Sequence, residues 1–302
     1  MTIAHALREG FRKLFRAWPA CLVFYAATTI PALVMTVAAM AVALGSLAHS
    51  TWASQMARSF DFGWLWEMQA RYGVLLSTPA LIVMAGLFCI SGIAYVFLLG
   101  GALTLFHARE PFSSVVFFAG CGRHFWRLAR LTLCAGALVA AVAASRIPLP
   151  FIGIGKSGEP SEGAWLFWRA FRDAAALGMG GLVSLVFDYS AIRLVAEDSR
   201  HVVRAMLASC NLVWRCPGRT TGLHLALWAM ALPVIAFLAL SHRAPQTSLL
   251  MVLALFPIRQ AAVVCKAGAR LLFYAGQGAM YESLAREKEI PPGRARLGVL
   301  IR

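Results

Sequence analysis

The sequence predicts an all-α protein, a polytopic transmembrane bundle of about six helices with amphipathic interfacial helices on the cytoplasmic side. Three observations carry that prediction. The first is composition: 60% of the 302 residues are hydrophobic and 14% are charged, with a mean hydropathy of +0.71. Soluble domains hold roughly 45–50% apolar and about 25% charged residues, so one water-soluble core cannot absorb this surplus. The second is run length. Residues 20–48 and 73–105 hold no charged side chain, and roughly 20 mostly apolar residues cross about 30 Å of hydrocarbon. The third is placement: the basic residues gather in short clusters at the ends of the apolar runs.

Six stretches are long enough to span: 19–46, 79–107, 125–145, 173–196, 218–241 and 247–273. With those spans, 20 of the 28 Lys and Arg fall on the side of both termini and 7 on the other, leaving Arg259 inside the last stretch. Positive charge is retained on the cytoplasmic side, so both termini are expected there. The first span is expected to double as the targeting signal, because its apolar run is too long for a cleaved one. Residues 1–280 read as a single six-span domain, and 281–302 as a basic cytoplasmic tail.

The net charge of +15 does not point to nucleic acid, because the basic residues form no single patch with interleaved exposed aromatics. The seven cysteines (Cys21, Cys89, Cys121, Cys134, Cys210, Cys216 and Cys265) make no CxxC or Cys/His metal spacing and read as small buried hydrophobes. On the external side, 49–78 carries Trp52, Trp64 and Trp66 and suits an interfacial helix, whereas 147–163 is rich in Pro and Gly and reads as a loop. Its Gly153-Ile-Gly155-Lys156-Ser157-Gly158 run lacks the glycine spacing of a phosphate loop.

A basic and aromatic cluster leads into each odd-numbered span. Lys13-Leu14-Phe15-Arg16-Ala17-Trp18-Pro19 precedes the first and Leu212-Val213-Trp214-Arg215-Cys216-Pro217 the fifth. Arg123-His124-Phe125-Trp126-Arg127 precedes the third without a proline. Before the fifth span, Val203, Met206, Leu207, Cys210 and Trp214 share one helical face flanked by Arg200, Arg204 and Asn211, the pattern of an amphipathic helix on a membrane surface. Three hairpin units, each introduced by a surface segment, are one reading; ordinary interfacial enrichment of arginine and aromatics is the other. Arg12, Lys13, Arg16, Arg127, Arg130, Arg200, Arg204 and Arg215 are the candidate contacts for lipid headgroups.

These lead-ins, with the Phe187-Asp188-Tyr189-Ser190-Ala191-Ile192-Arg193 stretch, resemble uncharacterised bacterial six-helix integral membrane proteins. The broader pattern is similar to the membrane domains attached to some bacterial glycerophosphodiester phosphodiesterases. The resemblance implies a six-span fold; with no trace of the soluble phosphodiesterase barrel, it implies no such activity here.

Polar residues inside the spans mark the remaining candidates. Ala174, Gly178, Gly181, Leu185, Asp188 and Ile192 form one stripe of the fourth span, small enough in its outer half for a neighbouring helix to come close. Asp188 is costly in lipid and needs a partner or water. Arg259, Lys266, Arg270 and Gln277 share a face of the sixth span. Arg259 or Lys266 is the expected partner of Asp188, with Arg270 reaching to the interface. Asp188, Tyr189, Arg193, Arg259, Lys266 and Arg270 form the candidate polar cluster, either a clamp between helices or the wall of a solute cavity. His224 is expected to pack against a backbone carbonyl. No catalytic residue, metal ligand or cofactor is expected, since neither an HExxH pair nor a nucleophile elbow is present.

The leading functional expectation is a non-catalytic membrane protein that contacts lipid, another membrane protein or a second copy through its basic helices. A transporter or channel for a small anionic or amphiphilic solute is the alternative, and an intramembrane lipid-modifying enzyme a more remote one.

Overall fold

A computed structural model describes residues 2–47, 78–108, 112–144, 162–241 and 249–287. The expected external helix over 49–78 and loop over 147–163 lie almost entirely outside these residues, as does the tail beyond 287. Among the described residues the protein is all-α, with eight helices. They are α1 (Ile3–Arg16), α2 (Trp18–Leu47), α3 (Thr78–Ala108), α4 (Ser114–Ala144), α5 (Glu162–Ala196), α6 (Val202–Arg215), α7 (Pro217–Ser241) and α8 (Leu249–Glu287).

Four of them hold stretches long and apolar enough to cross a membrane: Trp18–Val37, Ile82–Ala108, Leu166–Ala196 and Pro217–Ser241. The protein is therefore a multi-pass membrane protein by helix length and hydropathy. Among the described residues the count is four rather than the expected six. The other two expected spans, 125–145 and 247–273, fall in α4 and α8, where Arg127 and Arg130, and Arg259, Lys266 and Arg270, interrupt the apolar run. Large apolar side chains such as Phe88, Leu133, Leu177 and Leu253 point outward, as they must where the surrounding medium is hydrocarbon.

Proline decides where the lead-ins bend. Pro217 is the first residue of α7 and Pro19 the second of α2, positions where a missing N–H costs no helical hydrogen bond. The chain breaks before each, at Ala17 and at Cys216, so α1 and α6 are separate helices. The third lead-in lacks proline, and α4 runs through it without interruption. It therefore starts at Ser114 rather than near 125. At its other end, α5 stops in a left-handed turn at Asp198 (φ 49°), a conformation that Asp tolerates better than most residues.

The long helices, α2, α3, α4, α5, α7 and α8 in chain order, sort by parity. α3, α5 and α8 all touch one another and form an inner triangle. Outside it, α2 packs on α3 and α8, α4 packs on α3 and α5, and α7 packs on α8. Each lead-in leans on the end of an inner helix: α1 on α8, the start of α4 on α3, and α6 on α5. At the α1–α8 crossing a Cβ on Gly10 would lie 2.9 Å from the backbone of Gly276, so only glycine allows this approach. Such closeness was expected instead at Gly178 and Gly181 of α5, where a Cβ would meet nothing within 4 Å. α8 continues to Glu287 with Met280 and Leu284 buried, so the bundle includes the first residues assigned to the tail.

Candidate functional site

The inner triangle holds a buried polar network. Asp188 of α5 has no exposed surface. Its partner is Arg270 of α8, with Nη2 at 3.0 Å from Oδ1 and Nη1 at 3.5 Å from Oδ2. The guanidinium also donates from Nη2 to the Tyr274 hydroxyl (2.9 Å) and from Nε to the Tyr95 hydroxyl of α3 (3.3 Å). It stacks over the Tyr274 ring at 4.9 Å. One arginine thus joins all three inner helices, using the fork of donors that lysine lacks.

The network extends to α7. The Trp228 indole N–H donates to His224 Nε2 at 3.1 Å. An indole has no acceptor, so the imidazole proton sits on Nδ1. Gln277 Nε2 stands 3.0 Å from Nδ1. A half-turn of that amide puts Oε1, otherwise buried without a partner, where it accepts the Nδ1 proton. His224 is thereby held by two side chains, not by the backbone carbonyl that the sequence suggested.

The candidate cluster is only partly brought together. Asp188 and Arg270 meet, but Arg259 and Lys266 do not reach Asp188. Arg259 donates to the carbonyl of Ser241 at the far end of α7, and Lys266 is exposed. Arg193 binds Glu197 one turn on, with Nε 2.9 Å from Oε1. The Tyr189 ring is buried with Leu185 under Val213 of α6. Tyr95, Tyr274 and the His224–Trp228 pair were missed. Tyr95 is an isolated polar residue in an otherwise apolar run, and its spacing carries no hint of a partner on another helix.

At the charged end of the bundle the carboxylates tie helices together. Lys13, expected at the headgroups, is instead 5% exposed and binds Glu282 of α8 at 2.8 Å. Tyr281 donates to Glu197 at 2.6 Å, joining α8 to the end of α5. Arg123 (2.7 Å) and Arg127 of α4 both bind Asp198. Burial alone would raise the Asp198 carboxyl; the hydrogen bonds and charges of the two arginines outweigh it and hold the group below its ordinary range. Arg127 therefore serves α5 as much as any headgroup.

The remaining headgroup candidates are exposed: Arg12 (paired with Glu9 at 2.8 Å), Arg16, Arg130, Arg200, Arg204 and Arg215. α6 carries the last two on a helix with three faces. Val202, Ala205, Ser209 and Val213 turn into the bundle. Val203, Leu207, Cys210 and Trp214, the last 84% exposed, form a second, outward apolar face. Arg204, Asn211 and Arg215 form the third, with Arg215 Nε donating to Asn211 at 2.9 Å. α1 repeats the order: Ala6, Gly10 and Lys13 inward, Phe15 outward, and Arg8 and Arg12 on the polar side. Of the apolar face expected for a helix on a membrane surface, Val203, Leu207, Cys210 and Trp214 point outward, whereas Met206 packs on the core.

Helices of this length, with arginine and aromatic faces at one end and a polar network within, define a multi-pass membrane protein. No protein-family model matches the chain, and no curated protein or solved structure matches it either.

Proposed function

We propose that the protein is a six-span, non-catalytic component of a bacterial inner membrane, with both termini in the cytoplasm, that holds anionic lipid headgroups through α6 and α1. The three-faced form of α6 carries this reading. A helix lying in the interfacial plane needs one face for the bundle, one for hydrocarbon and one for headgroups, and α6 has all three in that order. Both α4 and α8 are long enough to cross, and Arg127, Arg259 and Arg270 among their cations have partners on other helices or connections of the protein. The Asp188–Arg270 pair is a clamp between helices on this reading, supported by the complete burial of Asp188. A transport pathway would need that carboxylate to be reachable.

The test is the lipid that co-purifies with the protein. Each basic residue near an anionic surface contributes about 1 kcal/mol. Replacing Arg200, Arg204 and Arg215 with Gln should reduce phosphatidylglycerol enrichment over phosphatidylethanolamine several-fold, and high salt should do the same to the wild type. Unchanged enrichment in the triple variant would overturn the proposal.

A further inference from the structure

We propose that the cleft between α5 and α7 holds an acyl chain of one phospholipid, whose anionic headgroup is bound by Arg215 at the C-terminal end of α6 above it. This rests on the lipid-contact reading and names the place where a single lipid is held.

The cleft is a gap in the parity arrangement. α2 reaches both inner helices beside it, and so does α4, but α7 packs on α8 and makes no extended contact with α5. The space left between them measures about 730 Å³, within the roughly 300–1,000 Å³ range of ligand clefts. Its walls are mostly apolar, including Val139, Leu177, Leu182, Leu225 and Trp228, with Ser184, Thr221 and His224 as polar exceptions. Gly178, Gly180 and Gly181 line it, and a Cβ on any of them would meet nothing within 4 Å. A space walled this way does not order water, and in a bilayer the nearest filler is a lipid chain.

Chemistry at the mouth selects among occupants. Val213 of α6 packs against Leu185, a wall residue, so the C-terminal turn of α6 roofs the cleft. Arg215 lies exposed on that turn with Trp214 exposed beside it, whereas Arg204 sits in the first turn of α6. Phosphate above and hydrocarbon below is the order in which a phospholipid presents itself. Thr221, one turn inside α7, offers a hydroxyl at the level of the ester carbonyls. A second copy docked here about a two-fold axis would set two arginine faces side by side, which like charge opposes.

The test is native mass spectrometry of the full-length protein released from nanodiscs of phosphatidylglycerol and phosphatidylcholine. The wild type is expected to keep one phosphatidylglycerol. Gly178→Leu with Gly181→Leu fills the cleft without meeting backbone, and retention should fall about tenfold at unchanged helix content. Arg215→Gln should keep one lipid but lose the preference for phosphatidylglycerol. A bromine-labelled acyl chain on the retained lipid should quench wild-type fluorescence more than that of Trp228→Phe, a readout independent of the leucine variants. Full retention by the leucine variant, or equal quenching, overturns the proposal. So does a wild-type dimer that the leucines dissociate. If the glycine variants keep the lipid while the arginine variant loses phosphatidylglycerol enrichment, the cleft assignment fails and the headgroup reading stands.

Discussion

At the scale of single residues, the Asp188–Arg270 pair is the most demanding feature. Removing one partner of a buried pair strands the other, which costs about 3–5 kcal/mol; a guanidinium 35% exposed places the loss at the lower end. Asp188→Ala should therefore destabilise the protein by about 3 kcal/mol in a detergent unfolding titration. Asp188→Leu with Arg270→Met should recover most of that loss, and a double variant as weak as the single one would count against the clamp. Asp198 makes a pH-dependent prediction. Its folded carboxyl lies below the ordinary value, so its contribution is complete above the usual carboxylate range and fades as acid carries the pH down through the folded value. Asp198→Asn keeps the left-handed turn but removes the charge. It should lower the melting temperature at neutral pH and flatten its fall in acid. Asp188 was legible in the sequence because a lone carboxylate in an apolar run demands a partner. The partner was misjudged because periodicity gives a helical face and not a depth. With α8 ending near 273, Arg270 would sit at the interface. With α8 running to Glu287, it lies inside the bundle, level with Asp188.

At the scale of elements, glycines of equal standing in the sequence do opposite things. Gly10→Ala would drive a Cβ to 2.9 Å from backbone atoms that cannot give way, and should cost about 1–3 kcal/mol. Gly178→Ala enters open space and should gain up to about 1 kcal/mol of helix propensity. Thermal unfolding of both variants in one detergent checks the contrast; equal effects would contradict the close crossing of α1 and α8. The breaks at α1/α2 and α6/α7 were legible, because proline after a basic and aromatic cluster marks a helix start. The inward face of α6 was not. Val202, Ala205, Ser209 and Val213 are small or mixed in polarity, and the larger Val203, Leu207 and Trp214 drew the reading to the outward face.

At the scale of the whole molecule, apolar runs revealed the membrane class and the basic clusters revealed one charged end. Parity did not show in the sequence. Nothing in the composition of α3, α5 and α8 marks them as inner helices, because in hydrocarbon both faces of a span are apolar. The proposed orientation has a direct check. A cysteine at Arg204 should react with a membrane-impermeant maleimide only after the cells are opened, and one at Arg169, exposed near the opposite end of α5, should react in intact cells. The reverse pattern would invert the topology.

Lys13 and Glu282 are separated by 269 positions along the chain, so the first helix has its seat on the last. At roughly 5–20 residues per second, a ribosome needs about 13 to 54 s to supply that seat after α1 has emerged. Through that interval the glycine face of α1 has no helix to rest on and Lys13 has no carboxylate. Assembly of the bundle therefore closes late, and a chain cut short before α8 would leave its own beginning with only its lesser contact on α7.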